Sequence, residues 1–408
     1  MNQSVPSLRF PEFNDEWKVS PLCEVFDRVK EKNSSLNTNV LTISGQDGLV
    51  SQNKYFTKSV ASKDTSGYYL LSRGDFAYNK SYSKGYPMGA IKRLKFSDSG
   101  VVSPLYICFR TNSDFDGYSE FFEHQFESGR LNKSIYRIAQ EGARNHGLLN
   151  VSVNEFFIDV GISYPCNLEQ NKIADFFNVI DIKISHLIAK HRLLKEYKKG
   201  VMQQIFSQQI RFKDENGVAF PDWKEHALKE ILLLQSDSLS MDDEETYELI
   251  TVKRGFGGVK SRGHFKGKDV LVKNQFTIHE NEFVISKRQI VHGACGLVPS
   301  ELDGAIVSNE YNVFRPVEDL LDIDYFNRFT TTPFMRRSFF INSDGVHIEK
   351  LLFKTQGWLK TRVHLPCLEE QQKITQFLKA IDIKIEGVAE QIEHTKQFKK
   401  GLLQQMFV

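Results

Sequence analysis

The sequence contains a long internal repeat, and this repeat restricts the possible folds more than any other feature. Residues 165–206 read PCNLEQNKIADFFNVIDIKISHLIAKHRLLKEYKKGVMQQIF, and residues 366–407 read PCLEEQQKITQFLKAIDIKIEGVAEQIEHTKQFKKGLLQQMF. The two segments align without a gap at an offset of 201 residues, which is far beyond what similar composition produces. The chain of 408 residues is therefore two copies of one unit, each a variable region followed by a nearly unchanged segment.

Weaker matches upstream show that the repeat includes the variable regions. They share aromatic residues and arginines at corresponding places ahead of each long segment. The matched pairs are Arg9-Phe10 with Arg211-Phe212, Trp17-Lys18 with Trp223-Lys224, Gly74-Asp75-Phe76 with Asn281-Glu282-Phe283, Val102-Ser103 with Val307-Ser308, Tyr106 with Tyr311, and Phe109-Arg110 with Phe314-Arg315.

Both repeated segments carry apolar residues at heptad spacing, which is typical of a coiled coil. The seam consists of Ile173, Phe177, Ile180, Ile184, Leu187 and Leu194 in the first segment and of Ile374, Leu378, Ile381, Ile385, Val388 and Ile392 in the second. We predict helices over 165–207 and 366–408, each beginning at a proline, Pro165 or Pro366. Such helices span roughly 50–60 Å at about 1.5 Å per residue.

A lone helix cannot keep so long an apolar stripe in water, so we expect the two helices to pack on each other. An antiparallel coiled coil would relate the two copies by a pseudo-twofold axis, with one globular domain at each end. Two alternatives stay open: separate amphipathic helices that each pack on their own domain, or a shared docking surface for two copies of one partner.

The variable regions, residues 1–160 and 208–360, predict two globular domains of the α/β (α+β) class. Strand-like runs occur at Tyr68–Leu71, Val101-Val102, Leu105–Phe109 and Phe283–Ile285, and helix-like stretches surround Phe121–Ser134 and Leu320–Phe340. The order of the strands is not readable from these patterns.

The net charge of +2, from 53 basic and 51 acidic residues, by itself argues against nucleic-acid binding, but local charge decides this. Residues 73–95 and 253–273 are strongly basic and rich in tyrosine and glycine, respectively, whereas residues 235–248 are acidic and are expected to face solvent or a partner. Lysine and arginine neutralise phosphates, and arginine and amide side chains read base edges. Glycines let the backbone approach a ligand closely.

These patterns predict a set of DNA contacts in the two basic regions, after the strand at 283–285 and in polar turns at 142–147 and 342–347. A merely solvated surface or a polar turn is the alternative interpretation. The predicted contacts are Asn79, Lys80, Ser81, Tyr82, Lys84, Lys92, Arg93, Arg144, Asn145, His146, Lys253, Arg254, Lys260, Arg262, Lys287, Arg288, Gln289 and His347.

Motifs of catalysis are missing from the sequence. It has no GxxxxGK[ST] loop, no HExxH and no Asn/Asp-Pro-Pro-aromatic tetrapeptide, and we predict no catalytic residue and no metal ligand. The five scattered cysteines form no CxxC pair and predict reduced thiols. Without an apolar leader or a run of about 18 apolar residues, we expect a soluble cytoplasmic protein that does not enter the membrane.

The repeated motifs resemble a known family. The segments LEQNKIADFFNVIDIKI, LLKEYKKGVMQQIF, LEEQQKITQFLKAIDIKI and KQFKKGLLQQMF, with the LRFPEF opening and RFKDENGVAFPDWKE, are similar to the constant regions of type I restriction-modification specificity subunits. The resemblance covers essentially the whole chain, and its helical motifs are highly specific.

This resemblance implies two target-recognition domains, at 1–160 and 208–360, that each read one half of a split double-stranded DNA site. It implies that the two helices set the distance between the half-sites and dock two methylation subunits, with restriction subunits joining the complex. S-adenosylmethionine, ATP and magnesium would then act on the partners, and this chain would hold no cofactor. A two-repeat protein–protein scaffold without DNA specificity is the alternative function. The recognised sequence, the spacer length and the stoichiometry are not readable.

Overall fold

The computed structural model describes residues 5–45, 48–55, 64–83, 85–139, 149–347 and 351–408. Four predicted contact residues, Lys84, Arg144, Asn145 and His146, lie outside these ranges. The chain divides into two compact units, the first comprising Met1–Ala189 with Ala389–Val408 and the second Lys190–Val388. Because both divisions fall inside long helices, each unit contains the first half of one long helix and the second half of the other.

The first unit holds ten short strands and five short helices before its long helix, within the described residues. The strands are β1 Lys18–Pro21, β2 Phe26–Arg28, β3 Leu41–Ser44, β4 Gly48–Ser51, β5 Tyr69–Ser72, β6 Phe76–Asn79, β7 Ala90–Arg93, β8 Ser99–Val102, β9 Ile107–Thr111 and β10 Gly161–Tyr164. The helices are α1 Leu22–Val25, α2 Gln52–Tyr55, α3 Ser119–Glu127, α4 Asn132–Ile138, α5 Val153–Ile158 and the long α6 Asn167–Phe206.

The second unit follows a similar order with more strands. Its strands are β11 Lys224–Ala227, β12 Leu232–Gln235, β13 Ser238–Leu239, β14 Thr246–Val252, β15 Val259–Lys266, β16 Gln275–Thr277, β17 Phe283–Ser286, β18 Cys295–Leu297, β19 Ile306–Ser308, β20 Tyr311–Pro316, β21 Ser343–Asp344, β22 Leu352–Phe353 and β23 Arg362–Leu365. Its helices are α7 Leu228–Ile231, α8 Ile323–Phe329, α9 Pro333–Ile341, α10 Thr355–Trp358 and the long α11 Leu368–Met406, with 3₁₀ turns at Gly267–Asp269, Ile290–His292 and Ser300–Leu302.

The two units share one antiparallel framework. A four-stranded sheet has the order β2-β9-β6-β7 in the first unit and β12-β20-β17-β18 in the second, and β1 pairs with β10 as β11 pairs with β23. Beyond this framework the units differ. The second adds a five-stranded sheet of order β13-β16-β19-β14-β15, where the first has the two-stranded pairs β3-β4 and β5-β8. The mixed helix and strand class predicted from the sequence is confirmed.

In the first unit the two long helices run antiparallel. Ile173 and Phe177 of α6 share a buried cluster with the end of α11, where the rings of Phe177 and Phe407 lie 5.8 Å apart. One turn farther along α6, Asp181 Oδ1 accepts a hydrogen bond from Lys399 Nζ at 2.5 Å. Residue numbers thus rise along one helix as they fall along the other, which confirms the antiparallel coiled coil.

The second unit repeats this packing with the roles of the helices exchanged. Ile374 and Ile381 at the start of α11 share a buried cluster with Ile205 at the end of α6. Lys198 forms an ion pair with Asp382, the counterpart of Asp181. The seam residues nearest to the domains are fully buried, whereas Ile184, Leu187, Leu194 and Ile392 are half-buried.

A buried glutamine fixes the start of each long helix. The side chain of Gln170 donates to the Pro165 carbonyl at 2.9 Å and accepts from the Tyr118 backbone N–H at 3.0 Å. Gln371 makes the same bonds to Pro366 and to the N–H ahead of α8. Each glutamine thus ties the helix to its own globular domain and satisfies groups that burial would otherwise leave unpaired.

In both units, a buried arginine–glutamate pair accounts for the repeated arginine of the Arg-Phe match, which lies far upstream of the long helix that it contacts. Arg9 donates two hydrogen bonds of 2.7 Å to Glu169, and Arg211 donates bonds of 2.9 and 2.8 Å to Glu370. Both glutamates are almost fully buried, so each needs the bidentate cation that the arginine supplies. Trp223 adds a third donor to Glu370 at 3.2 Å.

The end of each long helix is capped by a backbone hydrogen bond at the same position. In the first unit the donor comes from the segment around residue 8, and in the second unit it comes from the segment that directly follows α6. The N–H of Leu8 donates to the carbonyl of Gln405 at 3.0 Å. In the second unit the N–H of Ile210 donates at 3.2 Å to Gln204, the residue that corresponds to Gln405. The end of α6 is therefore capped by a residue six positions later in the sequence, whereas the end of α11 is capped by Leu8.

The predicted helical stretches are each broken into two helices. Phe121–Ser134 contains the end of α3 and the start of α4, which are separated at Gly129 with a φ of +74°. Leu320–Phe340 contains α8 and α9, and Pro333 begins the second. Left-handed glycine and a proline at the first helical position are the ordinary end and start signals of helices.

Candidate nucleic-acid interface

In the second unit, three polar segments meet where β17 ends. The turn between β14 and β15 lies on the segment after β17, because the Gly255 N–H donates to the His292 carbonyl at 2.7 Å. On the other side, the N–H of Phe353 in β22 donates to the Lys287 carbonyl at 3.0 Å. The predicted residues of 253–254 and 287–289 therefore belong to one surface, which β22 adjoins.

Several side chains on this surface orient one another. Arg254 Nε donates to Gln289 Oε1 at 2.8 Å, so an arginine and an amide, two side chains that read bases, are held together. Arg288 pairs with Glu310 at 2.6 Å, and this hydrogen bond raises the pKa of Arg288 above its usual value. Lys287 donates to a backbone carbonyl in the turn ahead of β20.

The β14–β15 turn adopts left-handed backbone angles and packs closely against two glycines that follow β17. Gly255, Phe256 and Gly258 have φ values of +69°, +60° and +73°, a region that favours glycine. A Cβ on Gly296 would lie 2.7 Å from the Cα of Gly258, and a Cβ on Gly293 would lie 2.7 Å from the ring of Phe256. The close approach predicted from the glycine-rich sequence occurs between two parts of this chain.

The basic residues beyond the turn fall into two groups. Lys260 and Arg262 of β15 are exposed, and β15 is an edge strand. Charged side chains on an edge also prevent pairing with other strands, so these two residues have a structural explanation besides DNA contact. Lys273 instead pairs with Asp243 at 2.5 Å, and Glu244 lies 3.4 and 3.5 Å from two further lysines. The acidic stretch thus neutralises part of the basic one.

The first unit presents the corresponding loop after β6. Here the N–H of Leu149 donates to the Lys80 carbonyl at 2.8 Å, which matches the bond from β22 to Lys287. Asn79 Oδ1 accepts from the Ser81 N–H at 3.2 Å, and Tyr82 is 65% exposed. Burial lowers the pKa of Lys80, because its ammonium group is partly removed from water.

Two residues of the first unit that were predicted to contact DNA have side chains that point into the protein, so they are no longer candidates for DNA contact. Lys92 is only 7% exposed, pairs with Glu127 and donates to the Tyr86 hydroxyl at 2.8 Å. Arg93 pairs with two glutamates of α3, among them Glu120 at 2.7 Å. These cations hold β7 against α3, a use of charge that the count of basic residues could not distinguish from DNA contact.

His347 is exposed beside β21, and the structure adds a residue that sequence reasoning missed. The guanidinium of Arg336 in α9 lies 4.6 Å from the ring centroid of Phe256, at the base of the β14–β15 turn. Arg337 beside it is also exposed. Both lie in the stretch predicted as helical, where basic residues on a helix face would have been the available signal.

The long helices carry matching exposed apolar residues beside their ion pairs. In the first unit, Ile182 and Phe398 are each more than half exposed and adjoin Asp181 and Lys399. The second unit repeats the arrangement with Ile383, Tyr197, Asp382 and Lys198. An exposed aromatic and an exposed isoleucine at the same place in both copies are typical of a repeated contact surface.

Within the described ranges, no helix combines the length and the apolar character needed to cross a membrane. The same part of the chain contains no cluster of three or more histidine, cysteine, aspartate or glutamate residues that could hold a metal ion.

The fold is that of specificity subunits of DNA restriction-modification systems. An S subunit of a type I restriction-modification system from M. genitalium matches over 99% of both chains, at a TM-score of 0.53 and 14% identity. A chain from a solved structure on complex assembly of the type I R-M system matches over 96% of this chain and 97% of its own length, at a TM-score of 0.56 and 14% identity.

Sequence comparison supports the same likeness. Residues 221–395 match the family model described as "Type I restriction modification DNA specificity domain". The type I restriction enzyme MjaVIII specificity subunit from Methanocaldococcus jannaschii is 24% identical over 295 residues, or 68% of this chain and 67% of the relative. In fold and in sequence, the chain is therefore similar to type I restriction-modification specificity subunits. Residues 221–395 thus match a domain whose description is that of DNA specificity.

Proposed function

We propose that each unit reads one half of a split DNA sequence through the loop that follows its central strand, β6 or β17. One observation carries this proposal: each loop follows the central strand of the same four-stranded frame and accepts the same backbone bond at its lysine, yet the side chains after that lysine differ. Lys80, Ser81 and Tyr82 occupy one loop, and Arg288 and Gln289 occupy the other. A constant frame with exchanged side chains is what two readers of different half-sites require.

The chemistry of the second surface suits base reading supported by phosphate contacts. Arg254 and Gln289 can each donate to base edges in a groove, and one good bidentate contact discriminates by about 1–3 kcal/mol. Lys253 and Lys260 are exposed and suit phosphates, which position the protein without reading sequence. Two short half-sites on one chain combine their binding terms through a high effective concentration.

Substitution of one loop at a time tests this division of labour. We expect R254A/Q289A to relax the bases of one half-site, and S81A/Y82A to relax only those of the other. The readout is genome-wide mapping of methylated adenines in cells that express each variant with its methylation partner. K273A, whose lysine is held by Asp243 in the same basic region, is the matched control and should keep both half-sites. Relaxation of both half-sites by one loop variant would contradict the proposal.

We also propose that the paired helices set the number of unread base pairs between the half-sites. A four-residue insertion in α6, with a matching insertion in α11, should change that number and leave the half-sites intact. Altered half-sites with an unaltered gap would show that the helices do not measure the distance.

The exposed apolar residues beside the helix ion pairs suit the docking of two methylation subunits, one per unit. We expect I182E/F398E to remove one of the two bound copies, as read by native mass spectrometry of the assembled complex. K273A serves as the control, because it removes an exposed lysine that pairs with Asp243 away from the long helices. Loss of both copies, or of neither, would argue against two separate docking surfaces.

In this proposal S-adenosylmethionine, ATP and magnesium bind to the methylation and restriction subunits, and this chain supplies the DNA sequence specificity. The chain alone should bind none of the three in equilibrium dialysis, while the assembled complex binds them. Saturable S-adenosylmethionine binding by the chain alone would overturn this assignment. The scaffold alternative is not favoured, because the matched family is a DNA-specificity family.

A further inference from the structure

A groove of about 950 Å³ in the second unit has no role in the proposed reading of DNA. It lies between the last three turns of α6, the α8–α9 connection and β23. The lining side chains from α6 include Lys195, Lys199, Met202 and Phe206, and the opposite wall includes Phe329, Phe334, Arg336, Arg362 and His364.

The floor of the groove is apolar and aromatic. Met202 and Phe206 line it from α6, and the Phe206 ring lies 5.6 Å from the Phe329 ring. Phe334 continues the row by stacking on Phe329 with ring centroids 6.1 Å apart, yet it remains half exposed. A large aromatic side chain left half in water at the mouth of an apolar groove is typical of a contact surface.

The rim of the groove is basic, and no acidic residue among those that the structure describes lines it. Lys195 and Lys199 lie one turn apart on α6, are exposed and have no acidic partner in the described part of the chain. On the opposite wall, Arg336 is also exposed and pairs with no acidic residue of the described chain, whereas Arg362 of β23 is held by Glu225 at 2.6 Å. Cations on both sides of an apolar floor fit a partner with an apolar stripe flanked by carboxylates.

The first unit does not leave the corresponding space open in the same way. Gln404 is the counterpart of the groove residue Gln203, and Arg130 donates to the Gln404 carbonyl across this region. Gln125 Nε2 donates at 2.5 Å to the carbonyl of Ser163, which is the counterpart of His364. The Arg130 bond joins the two sides of this space and the Gln125 bond joins α3 to β10, so the two otherwise matching units differ at this place.

We infer that the groove docks a short amphipathic helix that is rich in acidic residues and belongs to a partner protein. The floor on α6 extends over residues 195–206, roughly 16 Å at about 1.5 Å per residue, and this length matches about three turns of a docked helix. A bare phosphate backbone would leave the aromatic floor uncovered, whereas a helix with leucine or phenylalanine at every third or fourth position covers it. Such a partner would bind one unit and not the other.

A designed peptide serves as the probe. A fluorescein-labelled twelve-residue helix with Leu and Phe on one stripe and Glu on both flanks is titrated with the full chain, and anisotropy is recorded. Binding should be saturable and at least about tenfold weaker for K195E/K199E, since one decade corresponds to about 1.4 kcal/mol and two charge reversals suffice for that. F334A should weaken binding without a change of charge.

The repeat supplies the matched control. Lys396 and Lys400 occupy the same positions on α11, so K396E/K400E makes the same charge change where Arg130 spans the space. This variant should bind the peptide like the parent chain. Equal loss in both double variants, equal binding of a Lys-flanked copy of the peptide, or displacement of the acidic peptide by ATP would overturn the inference. Duplex DNA binding by each variant reports independently on DNA recognition.

Discussion

Removal of the two exposed lysines that flank the β14–β15 turn should change the salt dependence of DNA binding by a calculable amount. Lys253 and Lys260 are exposed and have no acidic partner within the described residues. Each phosphate that a lysine neutralises contributes about −0.9 to the slope of log K against log salt concentration. K253Q/K260Q should therefore reduce the magnitude of the slope by about 1.8. Between 50 and 200 mM salt, the parent chain should lose about twelvefold more affinity than the variant.

The assay is fluorescence anisotropy of a labelled duplex of about 40 base pairs with the full chain at four salt concentrations. K266Q/K273Q is the control, because these lysines belong to the same basic region but face Glu244 and Asp243 at 3.4 and 2.5 Å. The slope of this control should match that of the parent. A slope that falls equally in both variants would refute the assignment, because overall charge and not the turn would then determine binding.

Three further predictions concern stability and chain connectivity. R211M should lower the free energy of unfolding in urea by about 3–5 kcal/mol, because it leaves the fully buried Glu370 carboxylate without its cation, and R211M/E370Q should recover most of this loss. Burial lowers the pKa of His124 to about 3, so the folded chain holds it neutral while the unfolded chain protonates it below about pH 6.5. Its contribution to stability should be lost as the pH falls through the window from about 6.5 to 3, and H124Q should flatten the stability profile there by about 2 kcal/mol at pH 5. A permuted chain that begins at Gly217 and joins the original ends through a short linker should fold and unfold like the parent in thermal scans, and a fall of the melting temperature by more than about 10 °C would contradict the contact between the chain ends.

The long helices could be predicted from the sequence because their signal is redundant. A heptad seam repeated at an offset of 201 residues predicts the helix, its partner and its boundaries together. The structure places α6 at Asn167–Phe206 and α11 at Leu368–Met406, within two residues of the prediction at each end. The mixed class of the variable regions followed from the strand-like and helix-like runs.

The arrangement inside each domain could not be predicted, since its strands are short and their partners lie far apart in the chain. β2 pairs with β9, and β1 with β10, across most of the first domain, and local patterns carry no information about such pairings. The same limit applies to the site. Lys80 and Lys92 look alike in a basic run, but only the fold reveals that Lys92 turns inward to Glu127.

The upstream arginine matches were visible in the sequence, whereas their cause was not. Arg9 and Arg211 each lie about 160 residues from the glutamate that they neutralise. No spacing rule links residues at that distance. The pairs follow from the packing of each helix start against an opening segment, which only the folded structure shows.

Selection of bound sequences from a random duplex library by the full chain with its methylation partner tests the central claim most directly. We predict two short enriched elements separated by a constant number of unenriched positions, because two separate loops read the DNA. We further predict that R254A/Q289A loses enrichment in one element alone. A single continuous element, or the absence of any enriched sequence under conditions where the complex binds DNA, would contradict the account.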